Sequence, residues 1–143
     1  MKTLLSVLCL AVLTAVGVQA ASSISDIGHD ELKAAIAKKA VFLVDVNGTE
    51  SYNAGHIPGA IDYIANKDKF ASLLPKDKSA LIVAYCGNEH CTAYKKAADA
   101  AVALGYTNVK HYAPGIAGWK AKEKTEAGSV ATAQAGTADC CKM

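Results

Sequence analysis

The chain has 143 residues, is 52% apolar by count, carries a formal net charge of +2 and contains five cysteines. That length holds one domain, the apolar fraction excludes a disordered chain, and the charge is too small to suggest a nucleic-acid partner. Every basic residue is lysine, which excludes mechanisms that need an arginine fork on phosphate or carboxylate, including phosphatases with a loop arginine.

Lys2 precedes an apolar run from Leu4 to Val18, which ends in Val18-Gln19-Ala20. The run is short for a membrane span of about 20 residues, and its charged start and small-x-small end predict a secretory signal over residues 1–20. Cys9 lacks the small residues that a lipid-anchor box wants before it. The expected location is therefore periplasmic or secreted, with no membrane contact after cleavage. The mature chain would keep Cys86, Cys91, Cys140 and Cys141. An even count in an oxidising compartment favours disulfides. Yet a chain of about 120 residues buries roughly two-thirds of its unfolded surface without staples, so a chemical role for some thiols stays open.

Ser25-Asp26 ahead of Gly28-His29-Asp30-Glu31 predicts a helix start, continued by Leu32, Ala35, Ile36 and Lys39. Val41 to Val44, ending in Asp45, predicts a strand buried on both faces. Asn47-Gly48 signals a turn, a polar segment runs to Tyr52, and Ala60 to Ile64 predicts a second strand. Lys67 to Leu74 is expected as a helix stopped by Pro75. Ala80 to Tyr85 is the clearest buried strand, with Cys86 at its carboxyl end. An alanine-rich helix is expected from Cys91 to Leu104, capped by Gly105, then a strand over Asn108 to Tyr112 and a short helix carrying Trp119. This alternation predicts an α/β fold, a mostly parallel central sheet with helices on both faces. From Glu123 the composition turns to small and polar residues, which predicts a flexible tail over 123–143 ending in Cys140-Cys141.

In such a fold, sites form beyond the carboxyl ends of strands, where the next helix begins. Cys86 stands there. The N–H groups of Gly87, Asn88, Glu89, His90 and Cys91 can converge on an anion, favouring a thiolate, a persulfide or a bound sulfur oxyanion. The side chains of Asn88 and His90 are expected as further donors, while a nearby Glu89 carboxylate would raise the thiol pKa. A packed core would not want the glycine and polar run after Cys86.

Val44-Asp45-Val46-Asn47 followed by Glu50-Ser51-Tyr52-Asn53-Ala54-Gly55-His56-Ile57-Pro58-Gly59-Ala60-Ile61 resembles the first signature of rhodanese-like domains. Tyr85-Cys86 with its short loop, and Leu104-Gly105-Tyr106, look like their active-site segment. Tyr112-Ala113-Pro114-Gly115-Ile116-Ala117-Gly118-Trp119 is similar to their closing pattern. The resemblance covers residues 23–122 and implies a single-domain sulfurtransferase. Its catalytic cysteine takes a sulfane sulfur from a donor such as thiosulfate, becomes a persulfide, and passes the sulfur to cyanide, a small thiol or a protein thiol. By position that cysteine is Cys86, with Gly87 to Cys91 as the binding loop and no cofactor or metal. A monomer is expected. Cys91 and Asn47 stand where many members carry arginine, so part of the electrostatic hold on thiosulfate is missing. Lys95 and Lys96 can replace it only as flexible point charges.

Cys91 has two readings: a thiol that attacks a Cys86 persulfide, or an ordinary small residue at a helix start. A bond between them requires Cα atoms within about 7 Å. His56 reads as a turn-fixing histidine and Asp45 as an anchor for neighbouring backbone, both structural support, while Trp119 and Tyr112 read as packing residues. A soft-metal site from Cys86, His90, Cys91 and the tail pair fits no established zinc spacing. Beside the sulfurtransferase stand two alternatives: a thiol–disulfide oxidoreductase using Cys86 and Cys91, and a non-catalytic rhodanese-like binding module.

Overall fold

The computed structural model describes residues 24–128, so the expected signal segment and the Cys140-Cys141 pair lie outside the described residues. The two strongest apolar runs, β2 (Phe42–Asp45) and β4 (Ile82–Tyr85), lie side by side in the middle of one sheet. β3 (Ala60–Asp62) flanks β2, β5 (Val109–His111) flanks β4, and β1 (Ser25–Asp26) forms the far edge. The order is β1-β5-β4-β2-β3, with every pairing parallel. Parallel neighbours need crossovers. These carry α1 (His29–Ala37), α2 (Thr49–Ala54), a 3-10 turn at Lys67–Lys69 leading into α3 (Phe70–Leu73), and α4 (Lys95–Ala103), with α5 (Gly115–Lys120) following β5.

Side chains alternate across the sheet. Ile82, Ala84 and Cys86 share one face with Val44 and Val46, packed against Phe70 of α3 and Ala97, Ala98 and Ala101 of α4. Val83, Tyr85 and Leu43 face the other way, against Leu32 of α1 and Ile116 and Trp119 of α5. The three alanines of α4 are fully buried, so this helix sits close on the sheet. A larger side chain at any of them would overpack the layer at a cost of about 1–3 kcal/mol.

Several boundaries differ from the sequence expectation. Ser25 and Asp26 do not open a helix; they pair with Lys110 and His111 of β5, and α1 starts after Gly28. A two-residue edge strand has no periodicity to read. The second strand stops at Asp62, whose carboxylate accepts the N–H groups of Ile64 (2.8 Å) and Ala65 (3.2 Å) and so turns the chain. The polar segment after Asn47-Gly48 includes a helical turn, α2. Residues 67–74 divide between a 3-10 turn and α3.

The helix after Cys86 begins at Lys95 rather than Cys91, because Cys91 is tied back into the loop and Thr92 to Tyr94 make i→i+3 turns. The segment from Glu123 to Gly128, expected as the start of the tail, is strapped to the domain. Glu126 and His56 exchange backbone hydrogen bonds (2.8 and 3.0 Å), and the Gly128 N–H donates to the Asn53 carbonyl (3.1 Å).

Candidate active site

β4 delivers Cys86 to the carboxyl edge of the sheet at its centre, 1% exposed, on the face covered by α4. The chain then leaves as a loop of polar residues, Asn88, Glu89 and His90, all exposed. Asn88 builds that loop: its side-chain oxygen accepts the His90 N–H (3.0 Å) and its carbonyl accepts the Cys91 N–H (3.1 Å). These bonds curl the loop so that the Cys86 and Cys91 Cα atoms are 6.2 Å apart, and the two sulfurs form a disulfide. The Cys86 Sγ also lies 3.0 Å from the Cys91 carbonyl oxygen.

α5 holds the loop from behind. The Ile116 N–H donates to the Cys86 carbonyl (2.9 Å) and the Ala117 N–H to the Gly87 carbonyl (3.0 Å). This approach needs Gly115, which adopts φ +59°; a Cβ there would come within 2.8 Å of the Asn88 nitrogen and the Gly87 carbonyl carbon. With the carbonyls of Cys86 and Gly87 committed to α5, the N–H groups of Gly87, Asn88 and Glu89 donate to no acceptor among the described residues. Unpaired backbone donors in a loop can serve a bound anion. Pro114-Gly115 falls within the closing motif, but the sequence reading gives it no role as a clamp. The signal for one is a glycine directly after a proline and ahead of a short helix.

The side chains expected as extra donors sit elsewhere. The His90 ring is 87% exposed and lies 3.6 Å from the Glu89 carboxylate, so both side chains are solvated. Lys95 and Lys96 are exposed on the first turn of α4. Asn47, in place of an arginine, turns its amide to the Asp45 carboxylate (2.7 Å), with its side-chain oxygen beside Gly87.

Asp45 and His56 do not meet the sulfur. Asp45 pairs in register with Tyr85, and both point to the face opposite Cys86. The Asp45 carboxylate accepts the Asn47 N–H (2.7 Å), while its second oxygen is buried with no hydrogen-bond partner among the described residues. Burial pushes its carboxyl above the usual 3.8, against the opposing pull of the Asn47 hydrogen bonds, Tyr85 and His56. Burial and the nearby Asp45 charge likewise raise the Tyr85 phenol, whose oxygen accepts the Ile57 N–H (3.0 Å). His56 stacks on Tyr52 (ring centroids 3.7 Å apart), and its Nδ1 donates to the Tyr52 carbonyl (2.9 Å). Each polar group here holds a turn.

One pair escapes the sequence reading. His111 is buried at the end of β5, stacked on Tyr94 at 3.4 Å and bonded through Nδ1 to the Asp26 carboxylate at 2.9 Å. Nothing in the sequence links a residue before α1 with one in the last strand. Among the described residues, no group of three His, Cys, Asp or Glu side chains is placed to hold a metal ion.

The domain is thus a parallel α/β sheet with helices on both faces and Cys86 at the carboxyl end of its central strand. The rhodanese-like domain family matches residues 28–122, and the chain belongs to it. It is 29% identical over 112 residues to the thiosulfate sulfurtransferase/rhodanese-like domain-containing protein 3 of Mus musculus, covering 68% of this chain and 69% of that protein. The solved rhodanese-like domain of an Anabaena protein is 28% identical with a TM-score of 0.54, covering 78% of this chain and 86% of the other. The human single-domain sulfurtransferase TSTD1 shares the fold, with a TM-score of 0.59 at 23% identity, over 71% of this chain and all of that one. Together these relatives support a general sulfurtransferase-type fold.

Proposed function

We propose that the chain is an exported sulfurtransferase, periplasmic or secreted, that carries sulfane sulfur on Cys86. In the reduced protein the Cys86 thiolate attacks the outer sulfur of a donor such as thiosulfate. The S–S bond of the donor breaks, sulfite leaves, and Cys86 becomes a persulfide. A thiophilic acceptor, cyanide or a thiol, then takes the outer sulfur and returns the thiolate. The N–H groups of Gly87, Asn88 and Glu89 stabilise the anion at each stage, as preorganised dipoles that need no rearrangement during the reaction. No side-chain base is required, because a thiolate stabilised in this way is already the nucleophile.

The observation that carries this reading is a buried cysteine at the carboxyl end of the central strand, in a loop where α5 takes the Cys86 and Gly87 carbonyls and the N–H groups of Gly87, Asn88 and Glu89 have no acceptor among the described residues. Without an arginine, thiosulfate would be held by backbone dipoles and by mobile lysines. Its apparent affinity should therefore weaken steeply with ionic strength. The test is thiocyanate formation from thiosulfate and cyanide by the reduced protein. Activity is expected in the wild type and at background in Cys86→Ser; undiminished activity in Cys86→Ser would overturn the proposal.

The disulfide favours a second reading, a thiol–disulfide oxidoreductase. It predicts exchange with small thiols, no thiocyanate, and complete loss of exchange in Cys91→Ala.

A further inference from the structure

The geometry points to the Cys86–Cys91 disulfide as a working intermediate: Cys91 resolves the Cys86 persulfide and releases hydrogen sulfide, and a dithiol reductant then reopens the bond by attacking at Cys91. This deepens the function proposed above and rests on it, since the persulfide is the starting species.

The first step needs no outside oxidant. The Cys91 thiolate attacks the Cys86 Sγ of the persulfide, the bond to the outer sulfur breaks, and that sulfur leaves as HS⁻ with the electron pair. The outer sulfur is reduced to sulfide, and Cys91 is oxidised into the disulfide. The loop is already folded for this attack, because the two Asn88 hydrogen bonds bring the Cα atoms to 6.2 Å. That separation lies inside the range of ordinary disulfides, so the closed pair fits the strand and loop as they stand.

The second step is directed by exposure. In the oxidised pair Cys86 is 1% exposed, walled in by the sheet and α4, whereas Cys91 is only half-buried, next to exposed Glu89, His90 and Thr92. An incoming thiolate therefore reaches the Cys91 sulfur. Attack there expels the Cys86 thiolate as the leaving group. The product is a mixed disulfide on Cys91 and a restored Cys86 thiolate. A second thiol on the same reductant then attacks its own sulfur in that mixed disulfide, frees the Cys91 thiolate and leaves the reductant oxidised. A dithiol fits this sequence better than a monothiol, since its second thiol is held next to the bond it must break.

Two measurements test this on the full protein. In the first, reduced protein is given one equivalent of thiosulfate without cyanide or added thiol, and sulfide and Cys86 persulfide are followed. Wild type should release sulfide and end as the Cys86–Cys91 disulfide. Cys91→Ala should keep the persulfide on Cys86 and release sulfide at least ~10-fold more slowly, having lost its resolving thiol. Equal sulfide release from both, or release that vanishes only when Cys140 and Cys141 are replaced by serine, would overturn the inference. A persulfide in neither protein removes the underlying function as well; a persulfide stable in wild type with Cys91 still free removes only the present proposal.

In the second, oxidised wild type is mixed briefly with a limiting monothiol, acid-quenched and alkylated, and the positions are mapped by fragmentation. The monothiol should be found on Cys91 and the alkyl label on Cys86. The reverse distribution would contradict attack at Cys91.

Discussion

One loop, around His56, leads into the amino end of β3, and another, after Cys86, leaves the carboxyl end of β4; they are built in opposite ways. The loop around His56 is saturated. Its backbone pairs with Glu126, Ile57 donates to Tyr85, Gly59 donates to the Glu126 carboxylate (3.1 Å), and the histidine is both stacked and hydrogen-bonded to Tyr52. The loop after Cys86 is held through Ile116, Ala117, the Asn88 turn and the disulfide, yet keeps the N–H groups of Gly87, Asn88 and Glu89 without an acceptor among the described residues. A loop that satisfies its own polar groups has nothing left to offer a ligand, whereas one whose donors wait for an acceptor does. His56, the turn-fixing histidine of the sequence, belongs to the first kind, and Cys86 to the second.

Substitutions separate the two loops, and the largest effect belongs to the clamp. Gly115→Ala places a methyl group against the Asn88 nitrogen at a residue with φ +59°. The loop must shift away from α5, and its N–H groups lose their aim. We expect thiocyanate formation to drop by about 10²-fold, the scale of losing one oxyanion donor, with the far-ultraviolet circular dichroism retained. Unchanged turnover in Gly115→Ala would mean that the clamp does not position the donors.

His56→Ala should do the reverse. It leaves the Tyr52 carbonyl unpaired and removes the ring stack, costing about 1–3 kcal/mol in a urea titration, while turnover of the folded fraction stays at the wild-type level. A large fall in kcat without a stability change would make His56 a participant in the chemistry.

The smallest effect concerns Asp45. Its carboxyl is held above the ordinary 3.8, chiefly by burial, so the folded state binds this proton more tightly than the unfolded chain does. The sign follows: its contribution favours the fold at low pH and is lost as pH rises from 3.8 through the raised value. Asp45→Asn keeps an oxygen for Asn47 and should remove that decline, so urea midpoints of variant and wild type should diverge as pH rises through this window. A decline that persists unchanged in Asp45→Asn would locate it in another group.

Much of this arrangement is legible in the amino-acid order alone. The apolar run into Cys86 can only be a buried strand, and a cysteine followed by glycine and polar residues can only leave the sheet at its edge. The hidden parts depend on contacts between distant segments. β1 exists because Ser25 and Asp26 find β5, and residues 123–128 are fixed because Glu126 finds His56. Neither segment carries a hydrophobic pattern of its own. Helical composition extends back to Cys91, but Asn88 and the disulfide hold Cys91 in the loop, and α4 starts only at Lys95. The spacing of Cys86 and Cys91 allows a bond without requiring one; the Asn88 turn is what closes it.

The most direct test of the central claim is the intact mass of the reduced protein after incubation with thiosulfate, taken before and after cyanide, with Cys91→Ala used to hold the intermediate. The account predicts a species one sulfur atom heavier that cyanide strips and that Cys86→Ser does not form. A protein that gains no sulfur, and only becomes two hydrogens lighter in the wild type while ignoring cyanide, would contradict it and leave a dithiol oxidoreductase in its place.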